Sequence, residues 1–193
     1  MFRFDVGSIP SGAVISSVQV SLHVTRRPDP DQHGGPVDSD FSLYRLFVSW
    51  GEGTGADATG SVASPGVATW NERHFGSTAW SSPGGQIGAD FADNPSATTA
   101  ISDLGEYVWG SSTRLVNDVK GWIAAPETNF GYMLISQSEG SLGSGRRFGA
   151  KEQPGGLTPP PRLIVTYTVV PEPSMVALAG MGLCLVFLTR HRV

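Results

Sequence analysis

Apolar and polar residues alternate at several places along the chain, and that period of two predicts strands with one wet face. Val18, Val20, Leu22 and Val24 alternate with Gln19, Ser21 and His23. Leu163, Val165, Tyr167 and Val169 alternate with Arg162, Ile164, Thr166 and Thr168, forming the last strand. Phe2, Phe4 and Val6 alternate with Arg3 and Asp5, and the Pro10 and Gly12 of IPSGAVI read as a turn between two strands. Phe41 to Val48 is apolar on both faces apart from Ser42 and Arg45, which predicts a central strand. Shorter strands are expected over Val67–Trp70, Phe130–Ser136 and Gly145–Glu152. Residues 25–40 and 51–66 read as loops, and 71–103 as irregular chain anchored by Trp80 and Phe91.

The period changes once. Leu115, Val116, Val119, Trp122 and Ile123 recur at helical spacing, with Thr113 as the expected cap and Pro126 as the stop. Many short strands with one crossing helix predict an all-β fold, a jelly-roll-type β-sandwich with one short helix, over residues 1–169.

Composition agrees with that class. Gly (25) and Pro (14) make up about a fifth of 193 residues, and only 16% are charged. The net charge of −4 argues against a nucleic-acid partner, which selects a basic face. A single cysteine excludes an intramolecular disulfide.

Residues 170–193 stand apart. Pro171 and Pro173 fix φ and remove two backbone donors. Ser174 to Leu188 then runs without a charge and predicts a hydrophobic transmembrane helix over 174–188, containing Cys184. At 1.5 Å per residue it is about 22 Å long, short of a bilayer core of about 30 Å. Local thinning of the bilayer covers such a gap at modest cost. Arg190, His191 and Arg192 close the run and, under the positive-inside rule, stay cytoplasmic.

Pro171-Glu172-Pro173, the apolar run and the basic terminus, in that order, closely resemble the PEP-CTERM sorting signal of Gram-negative bacteria. The resemblance implies export, with Pro171, Glu172 and Pro173 as the recognition element. It also implies transient anchoring in the inner membrane and processing by an exosortase-type membrane protease. Residues 1–20 show no apolar leader and no small-residue cleavage site, so the expected translation start lies upstream of Met1.

The body carries a second resemblance. FRFDVGSIPSGAVISSVQVSLHV, LYRLFVSWGEGTG, ATWNERHFGSTAW, DVKGWIAAPETNFGYMLI, RRFGAKE and PPRLIVTY follow one another. The order looks like a DNRLRE domain, a jelly-roll module of secreted bacterial and archaeal proteins. The family's first strands and its name-giving motif are missing, which again implies an internal Met1. The resemblance implies an extracellular accessory module, in some members carbohydrate-binding, with an extracellular polysaccharide as partner.

Sugar faces stack on indoles, and five tryptophans are available. Trp122 and Trp70 are read as packing residues. Trp80 and Trp109, in Gly- and Ser-rich stretches, are the candidate carbohydrate platform. Asp29, Asp31, Asp38 and Asp40, with Glu52 and Asp57, are a conceivable but unsupported calcium set, since no EF-hand loop is present; they read as solvated acidic loops. Glu152 is expected to pair with Arg146, Arg147 or Lys151.

No G-x-S-x-G, H-E-x-x-H or P-loop occurs, and no cofactor or catalytic residue is assigned. The sequence therefore predicts a non-catalytic exported protein of the envelope or extracellular matrix. Its rivals are a polysaccharide-active enzyme, a lyase or a glycosidase, the latter's paired carboxylates leaving no sequence spacing, and a structural module without ligand. A sandwich lacking strands would leave an open edge or groove beside strands 14–24 or 162–169.

Overall fold

A computed structural model of the chain describes residues 1–31, 35–53, 62–151 and 159–169. The expected sorting element at Pro171, Glu172 and Pro173, the helix over 174–188 and the basic Arg190, His191 and Arg192 lie outside the described residues, as do Asp57 and Glu152. Among the described residues no helix is long and apolar enough to cross a membrane.

The chain is mostly β-structure with one short α-helix. The strands are β1 (Ala13–Arg26), β2 (Ser39–Arg45), β3 (Glu72–His74), β4 (Thr78–Ala79), β5 (Ala97–Ile101), β6 (Gly105–Trp109), β7 (Tyr132–Ser136), β8 (Arg147–Phe148) and β9 (Arg162–Val169); α1 spans Thr113–Ala124. In one sheet β1 lies between β6 on one side and β8 and β9 on the other. In the second, β2 lies between β5 and β7. All these pairings are antiparallel.

A single core joins the sheets. β1 contributes Ile15, Val18, Val20, Leu22 and Val24; β2 contributes Phe41 and Leu43; Ile101, Trp109 and Tyr132 complete the wall. The step from Ile15 to Val18 breaks the period of two because the β1–β9 register shifts between Ile15 and Ser17. A bulge there inserts one residue and returns Val18 to the inner face. Ala13–Arg26 is therefore one long strand. The turn expected at Pro10 and Gly12 ends in its first residue, where the Ala13 N–H donates to the Pro10 carbonyl.

The helix follows its pattern. Leu115, Val119 and Trp122 are buried against the core. Its cap is Ser112 rather than Thr113: the Ser112 Oγ accepts from the Leu115 N–H at 3.0 Å. Such a cap stabilises a helix by about 1 kcal/mol.

β2 is central, as its two-sided apolar character requires. Its outer face and the following turn feed a second cluster of Tyr44, Leu46, Trp80, Phe91 and Met133. The strand expected over Val67–Trp70 is instead a turn, leading into the small β3–β4 hairpin. β5 stands where irregular chain was expected, and β6 lies just beyond it, where no strand was expected. The strand expected over 2–6 is reduced to one bridge, in which Phe2 and Tyr132 exchange backbone hydrogen bonds of 3.1 and 2.9 Å.

Candidate ligand cleft

The two sheets are joined at one margin by the β5–β6 connection. At the opposite margin, between β7 on one side and β8 with the start of β9 on the other, they stand apart. A cleft of about 1110 Å³ opens there. An open edge or groove was expected beside strands 14–24 or 162–169; Leu22 of the first lines this cleft and no residue of 162–169 does. Leu22, Phe41, Leu134 and Phe148 reach it from both sheets, and Met1 and Phe2 line one side.

Loop residues form its rim. Trp50 is fixed by its indole N–H, which donates to the Phe130 carbonyl at 2.8 Å. Glu52 pairs with Lys151 at 2.6 Å. Glu139, Ser144 and Arg146 stand toward the end of the cleft near Ser136. Arg146 is held by backbone: its guanidinium donates to the carbonyls of Gly143, Gly145, Val37 and Ser102 at 2.9–3.0 Å.

Trp70 has the most accessible indole of the rim. It is 69% exposed. Its ring lies against Gly84, where φ is +83° and an added Cβ would come within 2.5 Å of Cη2. The Gly84 N–H donates to the Trp70 carbonyl at 2.6 Å, so backbone and ring are both fixed. Asp90 holds the loop that carries Gly84. Its buried carboxylate accepts from the Ser81 and Gln86 N–H groups at 2.9 and 2.8 Å and from the Ser81 hydroxyl at 2.9 Å.

The platform expected from Trp80 and Trp109 is overturned. Trp109 is 0% exposed and Trp80 6%. Trp109 ends β6 on its inner face, and its indole N–H donates to the Phe41 carbonyl at 2.7 Å. Trp80 sits in the second cluster and donates to the Thr69 carbonyl at 2.9 Å. Neither ring has a face free for a ligand. The roles are exchanged with Trp70, which was expected to pack. The legible signal at Trp109 was its spacing from Tyr107, two inward positions of a strand whose outward Glu106 and Val108 hid the alternation. Trp70 carried no comparable signal, because its exposure depends on a turn.

Asp29, Asp31, Asp38 and Asp40 are all exposed. Among the described residues no three His, Cys, Asp or Glu side chains gather as metal ligands. A separate charged group lies on the outer face of the β1 sheet. Glu106 accepts from the Ser21 hydroxyl and from Arg162, and these two bonds hold its carboxyl below the usual range.

Comparison of the chain with protein-family models, curated proteins and solved structures finds no match.

Proposed function

We propose that the chain is an exported, non-catalytic β-sandwich module of jelly-roll type in the cell envelope or extracellular matrix, and that it holds a polysaccharide on the rim of the cleft. Residues 170–193 act as the export address. In this reading the helix over 174–188 anchors the chain in the inner membrane, with Arg190, His191 and Arg192 in the cytoplasm. An exosortase-type protease reads Pro171, Glu172 and Pro173.

The observation that carries the sugar reading is Trp70. An indole that is 69% exposed, yet backed by Gly84 and hydrogen-bonded backbone, is a rigid apolar plate in water. Such a plate costs little entropy when a pyranose ring stacks on it. Glu52 and Lys151 stand along the same cleft and supply polar edges for hydroxyl groups. A glycosidase would need opposed carboxylates. The cleft has Asp5, Glu52 and Glu139; Asp5 accepts from the Gly7 N–H at 2.8 Å and Glu52 is neutralised by Lys151.

Affinity electrophoresis of the detergent-solubilised full chain through neutral and acidic polysaccharides tests this. Trp70→Ala should weaken retention about tenfold or more, or about 1.4 kcal/mol, with the melting temperature unchanged. A wild-type chain retarded by no polysaccharide, or a variant retarded equally, ends the sugar reading. Deleting residues 170–193 should move the protein from the membrane fraction to the soluble one. An unchanged distribution ends the address reading.

A further inference from the structure

Leu43, Arg45 and Phe47 follow one another on one face of β2 and its continuation. Leu43 is buried in the main core. Arg45 lies over the Trp122 ring, 5.8 Å from its centroid. Phe47 comes after the core has ended: it is 47% exposed and belongs to neither apolar cluster. Its backbone is nevertheless fixed, because its N–H donates to the Asp90 carbonyl at 2.8 Å.

A polar face of α1 stands opposite. Arg114, Asn117, Asp118 and Gly121 recur at the spacing that puts them on one side of the helix. Gly121 lets Arg45 come close, since an added Cβ there would lie 3.3 Å from Nη1. Between helix and strand lies a cavity of about 320 Å³. Arg45, Phe47, Asp93, Arg114, Asn117 and Asp118 line it, and it shares no residue with the cleft.

The polar groups of this cavity have bonding capacity to spare. The Arg45 guanidinium reaches Asp118 Oδ1 at 3.6 Å and Thr128 Oγ1 at 3.5 Å, both long for a charged donor. The side chains of Asp93, Arg114 and Asn117 make no hydrogen bond or ion pair with another described residue. Two guanidiniums and two carboxylates leave the lining without net charge. Hydroxyl groups suit this arrangement. One oxygen can accept from Arg45 while its O–H donates to Asp118, and an amide such as Asn117 offers both a donor and an acceptor. An aromatic ring beside such groups supplies the apolar wall that small-molecule pockets combine with a few fixed polar contacts.

We propose that the cavity is a saccharide pocket in its own right, taking one neutral pyranose ring. The sugar lays a CH face on Phe47 and sets one hydroxyl between Arg45 and Asp118. Asp93 and Asn117 bond its outer hydroxyls. A charged sugar is disfavoured, because either sign meets two like charges with no surplus of opposite ones. The pocket uses none of the residues of the Trp70 rim, so neither reading depends on the other.

The test titrates the full chain in mild detergent with the methyl glycosides of glucose, galactose and mannose, and follows the amide NMR signals of Phe47, Asn94 and Asn117. At least one glycoside should shift them saturably. Phe47→Ala and Asn117→Ala change exposed side chains. Each should weaken that binding about tenfold or more with the melting temperature unchanged. Phe47→Tyr keeps the ring and should bind as the wild type does. Trp70→Ala should leave the titration as it is. No saturable shift with any of the three glycosides, or binding that survives both alanine variants, overturns the proposal. A methyl glucuronide that shifts the same signals as strongly overturns the neutral class. Loss of the shifts in Trp70→Ala would assign the sugar to the cleft instead.

Discussion

The Tyr132 hydroxyl donates to the Asp118 carboxylate at 3.1 Å and ties β7 to α1 inside the core. The same Oδ2 accepts from the Ser96 hydroxyl at 2.6 Å, and Arg45 approaches the other oxygen at 3.6 Å. Arg45 in turn lies over the Trp122 ring, 5.8 Å from its centroid. Three elements meet on one carboxylate that the helix presents to the interior.

That carboxylate should shape the pH dependence of stability. Burial raises the Asp118 pKa above its ordinary 3.8, and the bonds from Ser96 and Arg45 only partly oppose this. Between the ordinary and the raised value the folded protein holds more protons than the unfolded chain, so stability falls as pH rises through that window. Asp118→Asn keeps a hydrogen-bonding side chain and removes the titration. Urea midpoints measured from pH 4 upward should therefore decline less steeply in the variant. Asp118→Ala leaves two buried hydroxyls without their acceptor and should cost about 2–4 kcal/mol. Parallel pH slopes for wild type and Asp118→Asn would show that another group governs this range.

Gly131 controls the docking of the first residues. Its φ is +79°, and an added Cβ would lie 2.1 Å from the Phe2 carbonyl oxygen. Gly131→Ala must break the Phe2–Tyr132 rung or strain the turn, at about 1–3 kcal/mol. The amides of Phe2 and Tyr132 should then exchange faster while those of β1 stay protected. Uniform loss of protection would mean that Gly131 supports the whole core instead.

The sequence was most legible where one rule acted alone. The alternation of Leu163, Val165 and Tyr167 placed β9, and the spacing of Leu115, Val119 and Trp122 placed α1. It was least legible where pairing overrides propensity. Thr98, Thr99 and Ala100 carry no strong pattern, yet β5 forms because Ser39–Leu43 of β2 offers its edge, with the Ser42 and Thr98 hydroxyls bonded at 2.7 Å. The tryptophans failed for a related reason. Glycine and serine around Trp80 and Trp109 suggest open loops, but burial is decided by distant partners, the carbonyls of Thr69 and Phe41. The cleft needed both sheets to be placed, since Leu22 and Leu134 are 112 positions apart in the chain.

Asp90 should connect loop stability to binding. Its side chain is 2% exposed and accepts three bonds that organise the chain from Ser81 to Gln86. Asp90→Ala leaves two backbone N–H groups to find new partners and should cost about 2–4 kcal/mol. Because Gly84 lies inside that loop and bonds the Trp70 carbonyl, the loss should also loosen the indole. Tryptophan emission should shift to the red and polysaccharide retention should fall together. Weakened retention with unchanged emission would place the ligand elsewhere in the cleft.

Gly84→Ala offers the sharpest separation of packing from recognition. The new methyl group meets three atoms of the Trp70 ring, at 2.5–2.9 Å, in a backbone conformation that alanine adopts with strain. Trp70 is on the surface, so it can swing away without opening the core, and the stability loss should stay near about 1–2 kcal/mol. Binding depends on the ring's orientation and should drop nearly as far as in Trp70→Ala. Combining the two changes should then give little further loss of retention, since both act on one plate. Fully additive losses would mean that Gly84 and Trp70 serve different contacts, and the single stacking surface proposed for the rim would have to be abandoned.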